Sequence, residues 1–175
     1  MKQGFAIWIT GLPSSGKSTI GRYVTQRLRD DHNLPVIHLE SDELRKLLTP
    51  KPNYSAEERD WFYDALGKLA HLLTSHGVNV IIDATANKRK YRDSTRASIP
   101  RFLEIYTKCP IEICQNRDVK GIYRKAQKGK AKSVPGIQEQ YEEPMAAEIV
   151  IESDRNSVEE SSANILRKLE TIDWI

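Results

Sequence analysis

Nine residues near the N-terminus, Gly11 to Thr19 (GLPSSGKST), constrain this chain more than any other segment. They match G-x-x-x-x-G-K-[ST] at Gly11, Gly16, Lys17 and Ser18. They also sit where that pattern must sit, between the apolar run FAIWIT (5–10) and a helical pattern starting at Lys17. The glycines let the backbone wrap closely around an anion, so that amide N–H groups and the helix N-terminus converge on phosphate oxygens. Lys17 is then expected at the β- and γ-phosphates of ATP and the Ser18 hydroxyl on Mg²⁺. Gly11, Leu12, Pro13, Ser14, Ser15, Gly16 and Thr19 complete the cradle. A strand, a phosphate loop and a helix in that order form a β–α unit, which limits the fold as well as the ligand.

The rest of the chain continues the same alternation. Strands are expected over 35–40, 78–84, 102–108 and 148–153. Helices are expected over 17–29, 56–75, 88–98, 158–169 and from Ile111 to Arg117. Ser55 followed by Glu58 reads as a capping box for the second of these helices. Trp61 and Phe62, adjacent on it, suit either an interface or the core, and read as core. Strands alternating with helices imply right-handed crossovers and a parallel sheet covered on both faces, with ligands beyond the carboxyl ends of the strands. A length of 175 residues suits one domain, 1–175.

Composition narrows the function classes. No apolar run approaches the roughly 20 residues that span a bilayer, and the N-terminus lacks a basic start and a small-residue cleavage site. A net charge of +3 does not argue for nucleic acid. Cys109 and Cys114 are too few for a disulfide framework or a zinc cluster and read as buried thiols in a reducing cytoplasm.

Candidate residues follow the strand ends. After the second strand come Glu40, Ser41 and Asp42, then Arg45 one helical turn on. A carboxylate there can accept the proton of an acceptor hydroxyl or hold Mg²⁺ through water. Asp42 equally suits the N-cap of the run ELRKLL. Asp83 ends the third strand, as a second water-mediated Mg²⁺ ligand or as a structural turn residue. Arg89, Lys90 and Arg92 then form either a solvated face or a phosphate clamp. From Arg117 to Lys132 seven basic residues face one acid, Asp118, with Gly121 and Gly129 as punctuation. This basic segment, as a lid over about 117–140, could close on the nucleotide, neutralise the transferring group and exclude water. A solvated helix or an RNA-binding patch are its other readings, although Tyr123 and Tyr141 are too sparse for base stacking.

The stretch CQNRDVKGIYRKAQKGKAKSVPGIQEQYEEP, Cys114 to Pro144, resembles the adenylylsulfate kinases, as do LESDELRKLL and YSAEERD. The resemblance implies a P-loop NTPase fold of the nucleotide-kinase type, with a five-stranded parallel sheet, helices on both faces and a basic lid. It implies transfer from MgATP to the 3′-hydroxyl of adenylylsulfate, and a homodimer. By position, Asp42 resembles the acidic residue near that hydroxyl. Arg45 and Arg59 resemble the groups that hold the phosphosulfate, and Tyr54 takes the place of a Phe stacked on the acceptor adenine. Arg117 resembles the residue near the ATP adenine, and Lys120 belongs to the closing element. The departures all lie on the acceptor side. The family's D-G-D is Glu40-Ser41-Asp42, and its S-F-I-S-P-Y-R is DATANKR from Asp83 to Arg89. Its second stacking Phe is Val134, and an Asn is Phe62. They leave a kinase for another small-molecule or polynucleotide hydroxyl as the second reading.

Overall fold

The computed structural model describes residues 3–49 and 51–175. Its five strands are β1 (Ala6–Thr10), β2 (Val36–Glu40), β3 (Asn79–Asp83), β4 (Phe102–Lys108) and β5 (Ile149–Glu152). All pair in parallel, in the order β2-β3-β1-β4-β5. The helices are α1 (Lys17–Asp30), α2 (Ser41–Leu48), α3 (Ala56–Ser75), α4 (Arg89–Ser98), α5 (Ile111–Arg117), α6 (Ile122–Gln127) and α7 (Val158–Thr171).

β1 is the central strand, and all five of its residues are buried. Its side chains alternate between the two faces, as the pleat requires. Phe5, Ile7 and Ile9 join Ile20, Val24 and Leu28 of α1 and Ile165 and Leu169 of α7. Ala6 and Trp8 join Phe62, Leu66 and Ala70 of α3 and Tyr91 of α4. Each fully buried Ile or Phe contributes roughly 1.5–3 kcal/mol, so burial on both faces, more than strand propensity, holds the sheet. The chain leaves β1 first toward β2 and β3 and later toward β4 and β5. The order therefore reverses beside β1, where open α/β sheets bind their ligands.

Several local expectations are corrected. The Ser55 side chain does accept from the Glu58 amide at 3.1 Å, but the reciprocal half of the capping box is missing. The Glu58 carboxylate instead accepts from the Asn53 amide at 2.6 Å and from Arg45 at 2.8 Å. The reciprocal box belongs to α7, between Ser157 and Glu160. Phe62 is fully buried, whereas Trp61 is 51% exposed, because the buried stripe of α3 runs through Phe62, Leu66 and Ala70. Arg92 is neither a solvated cation nor a phosphate clamp. It is buried, and it donates to Glu104 and to the Glu142 carbonyl, each at 2.6 Å, and to the Ala86 carbonyl. A buried guanidinium needs such a set of acceptors to offset its lost hydration. Lys90 pairs with Asp60, and Arg89 with Glu142.

Candidate active site

The phosphate loop is shaped by two glycines in conformations that other residues would find strained. Gly11 has φ +152°, and a Cβ there would lie 2.4 Å from the Thr107 carbonyl oxygen of β4. Gly16 has φ +101°, in the left-handed region that favours glycine, and forms the cap position of α1 without a side-chain cap. The first amides of α1 are thus left uncapped by any side chain, and its first turn carries no acid. That is the electrostatic requirement of an anion site.

Lys17 is buried, and its Nζ donates to the Leu12 carbonyl at 2.8 Å, across the loop it serves. Burial pushes its ammonium below the usual lysine range, while Asp83 and then Asp42 push the other way. Pro13, Ser14, Gly16, Lys17, Ser18 and Thr19 line a cavity of about 1050 Å³. Gly11, Leu12 and Ser15 do not. The Leu12 side chain packs on Ile111 and Val134 in a small cluster under the lid, and the Ser15 hydroxyl is buried without a hydrogen-bond partner among the described residues.

The same cavity holds the expected acceptor-side residues Asp42, Arg45, Tyr54, Arg59 and Lys120, together with Asp83 and Arg117. Asp42 is not a helix cap. Glu40 stands at the cap position of α2 with an extended backbone, and Asp42 lies inside the first turn. Its carboxylate is ion-paired with the Lys120 ammonium, both side chains about half exposed. Arg45 is buried beside Glu58, and its guanidinium lies 5.2 Å from the Tyr54 ring centroid. Arg59 donates to the Ser133 carbonyl and, at 3.4 Å, to Asn87 Oδ1, so it ties α3 to the lid. Arg117 donates to the Ser153 carbonyl at 2.8 Å.

Two carboxylates stand side by side in register at the ends of β2 and β3, Glu40 and Asp83. They differ in partners. Arg22 binds Glu40 at 2.7 Å and holds its carboxyl below the usual range. Asp83 is 4% exposed and lines the cavity, and among the described residues its carboxylate has no hydrogen-bond partner. Ser18 and Asp83 together fit a hard cation that takes most of its oxygens from phosphates and water.

The basic segment is more ordered than its composition suggests. Asp118, its one acid, accepts from the amides of Tyr123 and Arg124 at 3.1 and 3.0 Å and organises α6, a helix within the lid. The Tyr123 hydroxyl then donates to the Pro13 carbonyl at 3.0 Å, joining lid and phosphate loop. Neither residue had been singled out for these contacts. A lone acid among seven cations was the available signal for Asp118. Arg124, Lys125, Lys128 and Lys130 stay exposed. Trypsin is expected to cut among them in the free protein and several-fold more slowly with MgATP bound. Equal rates would argue against closure over the nucleotide.

A family model for adenylylsulphate kinase matches residues 3–152. The chain belongs to the adenylylsulphate kinase family. An adenylyl-sulfate kinase of Rippkaea orientalis (strain PCC 8801 / RF-1) is 39% identical to it, over 99% of this chain and 96% of that one. The APS kinase CysC of Mycobacterium tuberculosis, solved in complex with AMPPNP and APS, is 27% identical with a TM-score of 0.91, over 97% of this chain and 99% of that one. The crystal structure of APE1195 is 30% identical with a TM-score of 0.89, over 98% of both chains. Val134, expected in the place of a stacking Phe, is 4% exposed and packs with Cys114, Tyr123 and Leu12. Of the two expected platform positions, only Tyr54 presents an aromatic ring, 44% exposed. Both thiols are free and buried, and burial pushes Cys114 up to about 12, so it stays protonated at neutral pH.

Proposed function

We propose that this chain transfers the γ-phosphoryl group of MgATP to the 3′-hydroxyl of adenylylsulfate, giving ADP and 3′-phosphoadenylylsulfate. One observation carries the reading. A single cavity of about 1050 Å³ brings an anion cradle, with Lys17 and Ser18, together with a carboxylate and two guanidiniums of the segments that resemble this family, Asp42, Arg45 and Arg59. Donor and acceptor can therefore lie in line within one enclosure, and positioning supplies much of the acceleration in phosphoryl transfer.

Lys17 exchanges the Leu12 carbonyl for the β- and γ-phosphates and stabilises charge on the transferring group. Ser18, with Asp83 or Asp42 through water, would hold a Mg²⁺ ion, which would supply charge neutralisation at the phosphate oxygens. Asp42 exchanges Lys120 for the 3′-hydroxyl, orients it and takes its proton. Arg45 binds the phosphosulfate through its free N–H groups, with Arg59 beside it, and Tyr54 stacks on the acceptor adenine. Arg117 lies against the ATP adenine. Residues 1–175 act as one kinase unit, with 117–140 as its lid.

Among the described residues no helix is long and apolar enough to cross a membrane. We place the enzyme in the cytoplasm, in keeping with its free thiols, and as a homodimer, in keeping with the exposed Trp61 and Leu72 of α3. The test is the fate of the label from γ-³²P-ATP. It is expected on adenylylsulfate, in a form that a 3′-nucleotidase removes. Label appearing only as inorganic phosphate contradicts the reading.

A further inference from the structure

We propose that Phe62 is a positioning residue for the acceptor, its ring face setting the plane of the Arg45 guanidinium that binds the phosphosulfate. The inference rests on the acceptor-binding reading of Arg45 given above.

Arg45 projects from α2 and is 8% exposed. A guanidinium so withdrawn from water needs compensating contacts, and these also fix its orientation. Its Nη1 donates to Glu58 Oε1 at 2.8 Å. Its Cζ lies 3.8 Å from the centroid of the Phe62 ring, closer than the 5.2 Å to Tyr54. At that distance the cation rests against the electron-rich ring face, and its N–H groups remain available in their own plane. Among the described residues no acceptor takes the N–H groups of Nε and Nη2, and Arg45 lines the cavity beside Asp42. The Glu58 carboxylate thus holds one edge, Phe62 sets the plane, and the other edge is left for a ligand. Bidentate recognition of a phosphate or sulfate group depends on the fork being held in this way.

Glu58 and Phe62 are four residues apart on α3 and so share a face of that helix. Phe62 is fully buried, with an edge-on contact to Tyr63 at 5.4 Å, so the ring has little freedom to leave Arg45. Phe62 also belongs to the core cluster of α3, and Arg45 Cζ lies over its ring.

The experiment is steady-state kinetics on Phe62→Leu, with Phe62→Met as a second variant that conserves more volume, each alone and combined with Arg45→Lys. Phe62→Leu is expected to raise the KM for adenylylsulfate roughly tenfold, while the KM for ATP and kcat change less than about twofold. In the Arg45→Lys background the same change should add less than about twofold, because the two residues act as a unit. An unchanged KM for adenylylsulfate in both single variants overturns the inference, and so does a full additive loss in the double variants. A wild-type protein that turns over ATP but ignores adenylylsulfate overturns the acceptor reading, and this inference with it. A wild type that uses adenylylsulfate while Phe62→Leu and Phe62→Met both keep its KM overturns the inference alone.

Discussion

Lys17→Ala is expected to reduce phosphoryl transfer by about a thousandfold or more, to the background of the assay, whatever the acceptor. Three observations set the size of the effect. The ammonium is buried, so its charge acts in a low dielectric. It already donates to the Leu12 carbonyl at 2.8 Å, which places it inside the loop and spares it any search when phosphate arrives. Asp83 and Asp42 favour its charged form against the pull of burial. The fold should survive, because the neighbours of Lys17 on α1, Ile20, Val24 and Leu28, hold the helix to the sheet. Circular dichroism that matches wild type, with turnover lost, is the expected pair of results. Near-normal kinase activity in this variant would remove Lys17 from the chemistry.

Asp42→Asn is the second large effect. It keeps the shape of the side chain and removes its basicity. The expected loss in kcat is about a hundred- to ten-thousandfold, with the KM for ATP within about twofold. The alternative assigns Asp42 only its ion pair with Lys120. Both side chains of that pair are about half exposed, and an exposed pair contributes at most about 1 kcal/mol. A purely structural Asp42 would therefore leave kcat almost unchanged, so the two roles predict results at least a hundredfold apart.

The donor half was legible in the sequence because it is local. The loop from Gly11 to Thr19 carries its own geometry, and the flanking strand and helix are its immediate neighbours. The acceptor half was legible only as a list of residues, since their partners lie far along the chain. Glu58 was read as half of a capping box because Ser55 is three residues away. The structure gives it to Arg45, thirteen residues away on another helix. Arg59 was assigned to the acceptor, and its hydrogen bonds run to Asn87 and to Ser133 of the lid. The cap of ELRKLL, one of the two readings of Asp42, fails because the helix begins at Ser41, straight out of β2, and Glu40 takes the cap position. Arg92 looked like one cation of a surface cluster. Its burial depends on Glu104, which lies on strand β4, beyond the end of its own helix. Strand order had no local signal at all and follows from how α1 and α7 cover one face while α3 and α4 cover the other.

The central claim is that the cavity is an adenylylsulfate site, despite Val134 and Asp83 standing where the family pattern has other residues. ADP release at saturating MgATP, with adenylylsulfate titrated against 5′-AMP, a sugar acid and an oligonucleotide with a free 5′-hydroxyl, tests it most directly. The account predicts stimulation by micromolar adenylylsulfate and little by the others at the same concentration. Absence of stimulation by adenylylsulfate, or stronger stimulation by any of the others, would contradict it.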